Sequence, residues 1–175
     1  MNIILCGLPK SGKTTLGKLL AEKLKWSFID TDRLIENRYA TQTNTSRSCR
    51  EIYLYEGEKF FRTLEKEAIL SLKEMNHAVI GTGGGSLCNI DNIKVLESIG
   101  ILIYLKTSLE VIWDRLKNKE LPSYLDTIDP KASFYTLAES RIPLYEKWAT
   151  FHIDTHLLNK DRILNTILDK LQYGK

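Results

Sequence analysis

A glycine-rich run directly follows the apolar residues 3–6 and precedes a helix-like pattern of leucines. It reads Gly7-Leu8-Pro9-Lys10-Ser11-Gly12-Lys13-Thr14-Thr15, which has the spacing of a phosphate-binding loop between a strand and a helix. Glycines let backbone N–H groups curl around phosphate oxygens, and the next helix directs its positive dipole end at the same anion. Lys13 is placed to reach the β- and γ-phosphates, and the Thr14 hydroxyl is placed to ligate Mg²⁺. The run therefore predicts a nucleoside-triphosphate site, with an ordinary strand-to-helix turn as the alternative.

The composition is that of a single soluble domain spanning residues 1–175. The formal net charge is +3, and no block of Lys and Arg is long enough to indicate a nucleic-acid or membrane partner. Cys6, Cys49 and Cys88 are widely spaced and odd in number, which favours free thiols in a reducing compartment. Because the phosphate-binding loop begins at residue 7, too early for a signal peptide to precede it, we expect a cytoplasmic protein.

Strand and helix patterns alternate along the chain. Apolar segments predict strands at residues 2–6, 26–29, 77–80, 101–105 and 151–154. Helical patterns separate them, at residues 13–25, 33–39, 47–55, 58–75, 91–98, 108–117, 131–148 and 161–172. Five strands separated by helices predict an α/β fold, in which helices cover both faces of a parallel sheet. Ligands of such sheets bind beyond the carboxyl ends of the strands, at the edge that carries the phosphate-binding loop.

Two carboxylates, Asp30 and Asp32, follow the second predicted strand. Residues two positions apart on an extended turn are expected here to point in different directions, so one carboxylate could face a metal ion and the other a substrate hydroxyl. Helix capping is the alternative for one of them, because Asp is favoured at the N-cap and Asp32 precedes a helical pattern. Capping does not explain both.

A second glycine run and two arginines complete the set of candidate residues. Gly83-Gly84-Gly85 follows the third strand and suits a backbone that approaches a ligand closely, with a flexible turn as the alternative. Arg62 and Arg141 lie within helical patterns, where an ordinary ion pair, such as that of Arg62 with Glu65, is the alternative. A fork-shaped guanidinium is nevertheless what a small carboxylate substrate needs.

In this order and at these distances, the motifs resemble those of the shikimate kinases, a family in the nucleoside-monophosphate-kinase-like branch of phosphate-loop proteins. The resemblance runs from residue 3 to about residue 171 and rests on residues 7–15, 30–32, 61–65, 83–85 and 141–145. It implies one three-layer α/β/α domain with a five-stranded parallel sheet and a mobile lid at about residues 117–131. It also implies transfer of the ATP γ-phosphate to the 3-hydroxyl of shikimate, with Mg²⁺, in aromatic amino-acid biosynthesis. We expect the protein to be a monomer.

The resemblance further implies roles for individual residues. The catalytic residues would be Lys13, Asp32 and Arg62, with Asp32 hydrogen-bonded to the acceptor hydroxyl. Shikimate would be bound by Asp32, Arg62, Gly84, Gly85 and Arg141, with the two arginines on its carboxylate. ATP would be bound by Gly7, Lys10, Ser11, Gly12, Lys13, Thr14, Thr15, Arg115 and Lys119, with Arg115 against the adenine. Mg²⁺ would be held through Thr14 and, by way of water, Asp30.

The predicted lid departs from the family pattern. An Arg that contacts the transferred phosphate usually precedes a Pro there, whereas this chain has Leu121 before Pro122. Loss of such an arginine slows phosphoryl transfer by orders of magnitude. Either Lys117 or Lys119 is expected to supply the missing charge from a shifted register, with Lys10 and Lys131 as the next candidates; the alternative is that the lid acts differently.

Other functions remain open. A kinase acting on gluconate or a nucleoside monophosphate would share the loop and the fold, and a catalytically impaired shikimate-binding homologue would lack only turnover. The two aspartates, the glycine run and the two arginines favour a small hydroxylated carboxylate as the acceptor. A switch GTPase fits less well, because Asn159-Lys160-Asp161 places its Asp one position too early for the guanine-reading Asn-Lys-x-Asp.

Overall fold

The computed structural model describes residues 1–118, 121–156 and 158–173. The strands are β1 (Asn2–Cys6), β2 (Ser27–Asp30), β3 (Ala78–Gly81), β4 (Gly100–Lys106) and β5 (Phe151–Asp154). The helices are α1 (Lys13–Leu24), α2 (Thr31–Thr43), α3 (Cys49–Leu70), α4 (Ile90–Ile99), α5 (Leu109–Lys117), α6 (Pro130–Trp148) and α7 (Lys160–Tyr173). Within these described segments, no helix is long and apolar enough to cross a membrane.

All strands belong to one parallel sheet, in the order β2-β3-β1-β4-β5. The central strand β1 is buried along its whole length, as expected of a sheet covered on both faces. Ile4 and Cys6 face a core shared with α4, α5 and α6, while Ile3 and Leu5 face a core shared with α1 and α7. Helices thus cover both faces of the sheet, and the predicted three-layer α/β/α fold is confirmed.

The strands lie within one residue of their predicted bounds, whereas two helices differ more. Helix α2 begins earlier and ends later than the predicted 33–39, because Asp30 caps its N-terminus and Asn44 ends it in a left-handed conformation. The two helices predicted at 47–55 and 58–75 are α3, interrupted at Gly57, whose φ is 83°. The second of them ends at Leu70 and continues as a 3₁₀ turn over Ser71–Glu74.

Close packing between α1 and β2 brings together the first two motifs. A Cβ atom at Gly17 of α1 would lie 2.3 Å from Cε2 of Phe28 in β2, so a larger side chain would push the helix away from the sheet. At this separation the Thr14 hydroxyl at the start of α1 donates a hydrogen bond to Asp30 at the end of β2, over 3.2 Å. The helix that follows the phosphate-binding loop is therefore set against the strand that carries the aspartates.

Candidate active site

A cavity of about 1130 Å³ opens beyond the carboxyl ends of the strands. One end is lined by the phosphate-binding loop and by Arg115, and the other by the glycine run, Arg62 and Arg141. The predicted site residues that line it are Lys10, Ser11, Gly12, Lys13, Thr14, Thr15, Asp30, Asp32, Arg62, Gly84, Gly85, Arg115 and Arg141. Gly7 lies behind this lining, and Lys119 lies outside the described residues. One cavity therefore joins the predicted nucleotide and acceptor residues.

The phosphate-binding loop is held in shape by its own backbone. Gly7 has a φ of 141°, and a Cβ there would lie 2.9 Å from the Leu105 carbonyl oxygen, so no larger residue fits. The Lys13 ammonium spans the loop, donating to the carbonyl oxygens of Gly7 at 2.8 Å and of Leu8 at 2.7 Å. Loss of hydration lowers the pKa of Lys13 to about 8, although the negative charge of Asp32 opposes the shift. The lysine is thus a poorly solvated cation, which an anionic phosphate would stabilise.

Asp30 and Asp32 have separate surroundings. They do not lie on the extended turn that the sequence predicted, but on either side of the start of α2. Asp30 ends β2 and caps α2, accepting the backbone N–H of Asp32 at 3.1 Å, so the capping role belongs to Asp30 and not to Asp32. Its other carboxylate oxygen accepts from Thr14. Asp32 lies in the first turn of α2, beside the glycine run. The two carboxylates therefore face different parts of the cavity, as predicted, because a strand ends and a helix begins between them.

The Asp32 carboxylate is open to water through the cavity yet surrounded by protein and by other carboxylates. Incomplete hydration and the nearby charge of Asp30 raise the pKa of Asp32 to about 6, and Lys13 opposes this shift. The direction follows from the geometry, since Asp30 and Glu65 add negative charge and Lys13 is the principal cation that opposes them. A carboxylate tuned towards neutrality is suited to accept a proton or a hydrogen bond from a hydroxyl group.

The glycine run allows close contact with three other parts of the site. Added Cβ atoms would lie 2.9 Å from Asp32 Oδ1 at Gly83, 2.8 Å from Pro9 Cδ at Gly84 and 2.7 Å from Arg62 Nη1 at Gly85. The sequence predicted a close approach of this backbone to a ligand. In the structure its nearest neighbours are side chains of the site itself, and the contact with a ligand stays a prediction.

Arg62 is held by a buried carboxylate. Its Nη1 donates to Glu65 Oε2 at 2.8 Å, Glu65 is only 2% exposed, and the other Glu65 oxygen accepts from Ser86 at 2.9 Å. The ordinary i,i+3 ion pair considered from the sequence therefore exists, and it fixes the guanidinium at the cavity wall.

Arg141, unlike Arg62, has no ion pair among the described residues. It is 7% exposed, and the ion pairs found among the described residues include none with Arg141. One turn further along α6, the buried Tyr145 donates its hydroxyl to the carbonyl oxygen of Gly84 and so fixes α6 against the glycine run. A buried guanidinium without a carboxylate partner favours binding of an anion.

Of the two lysines expected to supply positive charge from the predicted lid, Lys117 and Lys119, only Lys117 lies among the described residues. Lys117 pairs with Asp114 at 2.6 Å and is not among the residues that line the cavity. Leu121 packs its side chain against the core, and its carbonyl oxygen accepts from Arg50 Nε at 3.2 Å. Arg50, from the first turn of α3, does line the cavity.

Comparisons with known proteins agree with this geometry. The family model of shikimate kinase matches residues 9–172. The shikimate kinase of Thermodesulfovibrio yellowstonii is 36% identical over 177 residues, covering 99% of this chain and 98% of the relative. That of Caldanaerobacter subterraneus subsp. tengcongensis is 40% identical over 154 residues, covering 87% of this chain and 85% of the relative. The chain belongs to the shikimate kinase family.

A solved structure supports the same conclusion. The shikimate kinase from Acinetobacter baumannii in complex with shikimate has a TM-score of 0.87 and 32% identity to this chain, covering 99% of this chain and 94% of that one. The predicted family and fold of this shikimate kinase family member are therefore confirmed along nearly the whole chain.

Several residues that line the cavity were not among the candidate site residues of the sequence analysis. They are Arg50, Tyr53, Glu65 and Tyr124 at the acceptor end, and Asn159 and Lys160 at the nucleotide end. A signal existed for three of them, since Arg50 and Tyr53 are three positions apart on one helix face, and Glu65 stands at the same spacing from Arg62. Tyr124 and Asn159 lie in segments without periodicity, where only the folded chain reveals a neighbour.

Replacement of Asp32 by Asn should abolish transfer without loss of stability. The pKa of Asp32 in the folded state, about 6, lies above its ordinary value of 3.8, so the folded state binds this proton more tightly than the unfolded state does. The resulting stabilisation is complete below about pH 4 and is lost as the pH rises through 6. We expect kcat to fall about 100-fold or more, and the Tm at pH 8 to be at or above that of the unmodified protein, with the difference in Tm vanishing near pH 4. In the unmodified protein, kcat/KM should fall as the pH drops below about 6.

Asp91→Asn is the control, because a hydrogen bond and the charge from Lys66 lower the pKa of Asp91. Its replacement should leave kcat unchanged and should not raise the Tm at pH 8. A Tm of Asp32→Asn below that of the unmodified protein at every pH would contradict the assigned pKa direction.

Gly84→Ala and Gly85→Ala should weaken binding at different ends of the cavity. The Cβ at residue 85 displaces Arg62, so the Kd for shikimate should rise about tenfold or more while the Kd for ATP changes little. The Cβ at residue 84 presses on Pro9 of the phosphate-binding loop, so the Kd for ATP should rise more than that for shikimate. Isothermal titration calorimetry measures both constants, and equal effects of the two substitutions would refute this division.

Proposed function

We propose that this protein transfers the γ-phosphate of ATP to the 3-hydroxyl of shikimate, giving shikimate 3-phosphate and ADP, in aromatic amino-acid biosynthesis. The observation that carries the proposal is the buried Arg141 guanidinium, which lies with Arg62 at one end of the cavity whose other end is the phosphate-binding loop. A carboxylate bound by both arginines would direct the opposite side of the acceptor ring towards the nucleotide. Membership of the shikimate kinase family supports this acceptor.

Asp32 lies between the two ends and is our candidate for the group that accepts the hydrogen bond of the reacting hydroxyl. Phosphoryl transfer depends on positioning and on neutralising charge on the transferred group, and it needs little covalent help from the protein. Lys13 is the cation of the loop that would neutralise the β- and γ-phosphates, and its depressed pKa reflects a charge that lacks water. We propose that the backbone of Gly84 and Gly85 contacts the acceptor hydroxyls.

The donor set at the start of α1 fits Mg²⁺. The Thr14 hydroxyl and the Asp30 carboxylate are hard oxygen donors 3.2 Å apart, and the described residues contain no cluster of three or more His, Cys, Asp or Glu side chains that could hold a metal ion. Mg²⁺ takes few protein ligands and keeps several waters and phosphate oxygens, so this sparse set suits it. When bound, the ion would neutralise charge on the phosphates of ATP.

ATP is the proposed nucleotide, and its base would lie beyond the loop. Arg115 Nη1 donates to the Lys10 carbonyl oxygen at 2.8 Å, which ties α5 to the loop and places the guanidinium at the nucleotide end of the cavity. We further propose a cytoplasmic monomer. One chain supplies both ends of the described cavity, and the widely spaced cysteines suit a reducing compartment.

An acceptor panel tests the proposed function. Release of ADP should be rapid with shikimate and at background with gluconate or nucleoside monophosphates, and phosphorus NMR should show one new phosphate monoester. Lys13→Ala should lower kcat about 10³-fold in a protein that remains folded, because it removes charge from the phosphate site. Lys18→Ala, an exposed lysine of α1, is the control and should be neutral. Turnover with gluconate alone would indicate the related sugar-acid kinase, and no turnover with any acceptor would indicate an impaired homologue.

We expect Arg50 to supply the positive charge that the lid lacks at Leu121. Arg50 lines the cavity and its Nε donates to the Leu121 carbonyl oxygen, whereas Lys117 is not among the lining residues. Arg50→Gln should lower kcat about tenfold or more with a small change in the KM for shikimate, Arg50→Lys should restore part of it, and Lys117→Ala should be neutral. The earlier expectation of a lid lysine stands instead if Lys119→Ala slows transfer and Arg50→Gln does not.

A further inference from the structure

Tyr124 is held in a defined position within the lid. The backbone N–H of Leu125 donates to the Pro122 carbonyl oxygen at 3.1 Å, closing a turn that contains the tyrosine. Leu125 is 6% exposed and anchors the turn in the core. The next backbone N–H, of Asp126, donates to the Ser133 hydroxyl of α6 at 3.0 Å. The tyrosine ring therefore projects from a segment tied to both the core and α6.

The ring of Tyr124 covers Arg141, the buried arginine for which the described part of the chain shows no carboxylate partner. The Cζ atom of Arg141 lies over this ring, 5.2 Å from its centroid. Tyr53 of α3 packs edge-on against the same ring, with centroids 6.3 Å apart and planes at 73°. Tyr53 also contacts Phe61, whose ring lies 5.5 Å from the Cζ atom of Arg62. Each acceptor-end arginine is thus covered by an aromatic ring, and the rings touch one another through Tyr53.

Apart from the donor that hydrogen-bonds the Tyr124 phenol oxygen, the Arg141 guanidinium has further N–H donors for a ligand. A guanidinium stacked on a ring keeps its in-plane N–H donors, and these match the two oxygens of a carboxylate. The phenol O–H is a further donor. Loss of hydration raises the pKa of Tyr124, while the charge of Arg141 and a hydrogen bond from Arg141 to the phenol oxygen oppose the shift.

Tyr124 also stands between two spaces. It lines the active-site cavity and a second hollow of about 650 Å³ on the outer side, and Arg62 and Arg141 border both of them. The ring at this place contributes to the burial of Arg141, which is 7% exposed. Exclusion of water strengthens the attraction between a guanidinium and a bound carboxylate.

We propose that Tyr124 is an acceptor-specificity residue, whose ring fixes the plane of Arg141 and whose hydroxyl donates to the same carboxylate. The inference rests on the proposed function, because it assigns Tyr124 to the carboxylate end of the acceptor. It predicts that Tyr124 acts only through that carboxylate. Loss of Tyr124 should therefore weaken acceptors that carry a carboxylate and should spare those that do not.

The test compares shikimate with its carboxamide, which keeps the ring and hydroxyls but has no charge. Tyr124→Leu should raise the KM for shikimate about tenfold or more, with kcat and the KM for ATP changed less than about threefold. The KM for the carboxamide should change less than about threefold, so that discrimination between the two acceptors falls. Tyr124→Phe keeps the ring and should show a smaller rise for shikimate. Tyr55→Leu, a 69% exposed tyrosine of α3 outside the cavity, is the matched control.

Each result decides the matter. Equal rises in KM for shikimate and its carboxamide, a loss confined to kcat, or no change in either variant would overturn the proposal. If Tyr124→Leu lowers the Tm strongly, Tyr124→Phe carries the test, and an unchanged acceptor discrimination in that variant refutes the hydroxyl's part. Failure of the unmodified protein to phosphorylate shikimate would refute the proposed function itself, and it is seen before any variant is made.

Discussion

The absence of side chains at residues 83–85 is the constraint on which the site depends. Each of these glycines stands where a Cβ would come within 3 Å of another part of the site: Asp32 of α2, Pro9 of the phosphate-binding loop or Arg62 of α3. The Gly84 carbonyl oxygen also accepts the Tyr145 hydroxyl of α6. Four elements distant in sequence therefore converge on one short piece of backbone, and this convergence puts the nucleotide and acceptor ends into one cavity.

The same convergence concentrates charge in a place that water hydrates poorly. The pKa of Asp32 is raised to about 6 and that of Lys13 is lowered to about 8, in both cases chiefly because hydration is lost. Arg141 is buried without a carboxylate partner among the described residues. Such groups are costly for the protein alone and become favourable when an anionic phosphate and a carboxylate bind. The arrangement thus lowers the stability of the protein without ligands, and it gives affinity for anionic ligands and a carboxylate able to accept a proton.

The sequence revealed what depends on local spacing. The phosphate-binding loop, the strand ends and the break at Gly57 follow from short-range pattern and backbone chemistry, and all five strands were predicted within one residue. The burial of Arg141 and the contacts of Tyr124 and Arg50 depend on how distant segments pack, which no periodicity encodes. The turn at Asp30 was misread for a related reason, because the side chain that caps a helix depends on where the preceding strand ends.

The geometry of a ternary complex tests the account most directly. A crystal structure with shikimate and a non-hydrolysable ATP analogue should place the acceptor carboxylate against Arg62 and Arg141. It should also place the 3-hydroxyl within hydrogen-bond distance of the Asp32 carboxylate and about 3–3.5 Å from the γ-phosphorus. An acceptor carboxylate that contacts neither arginine, or a reacting hydroxyl remote from Asp32, would contradict the account.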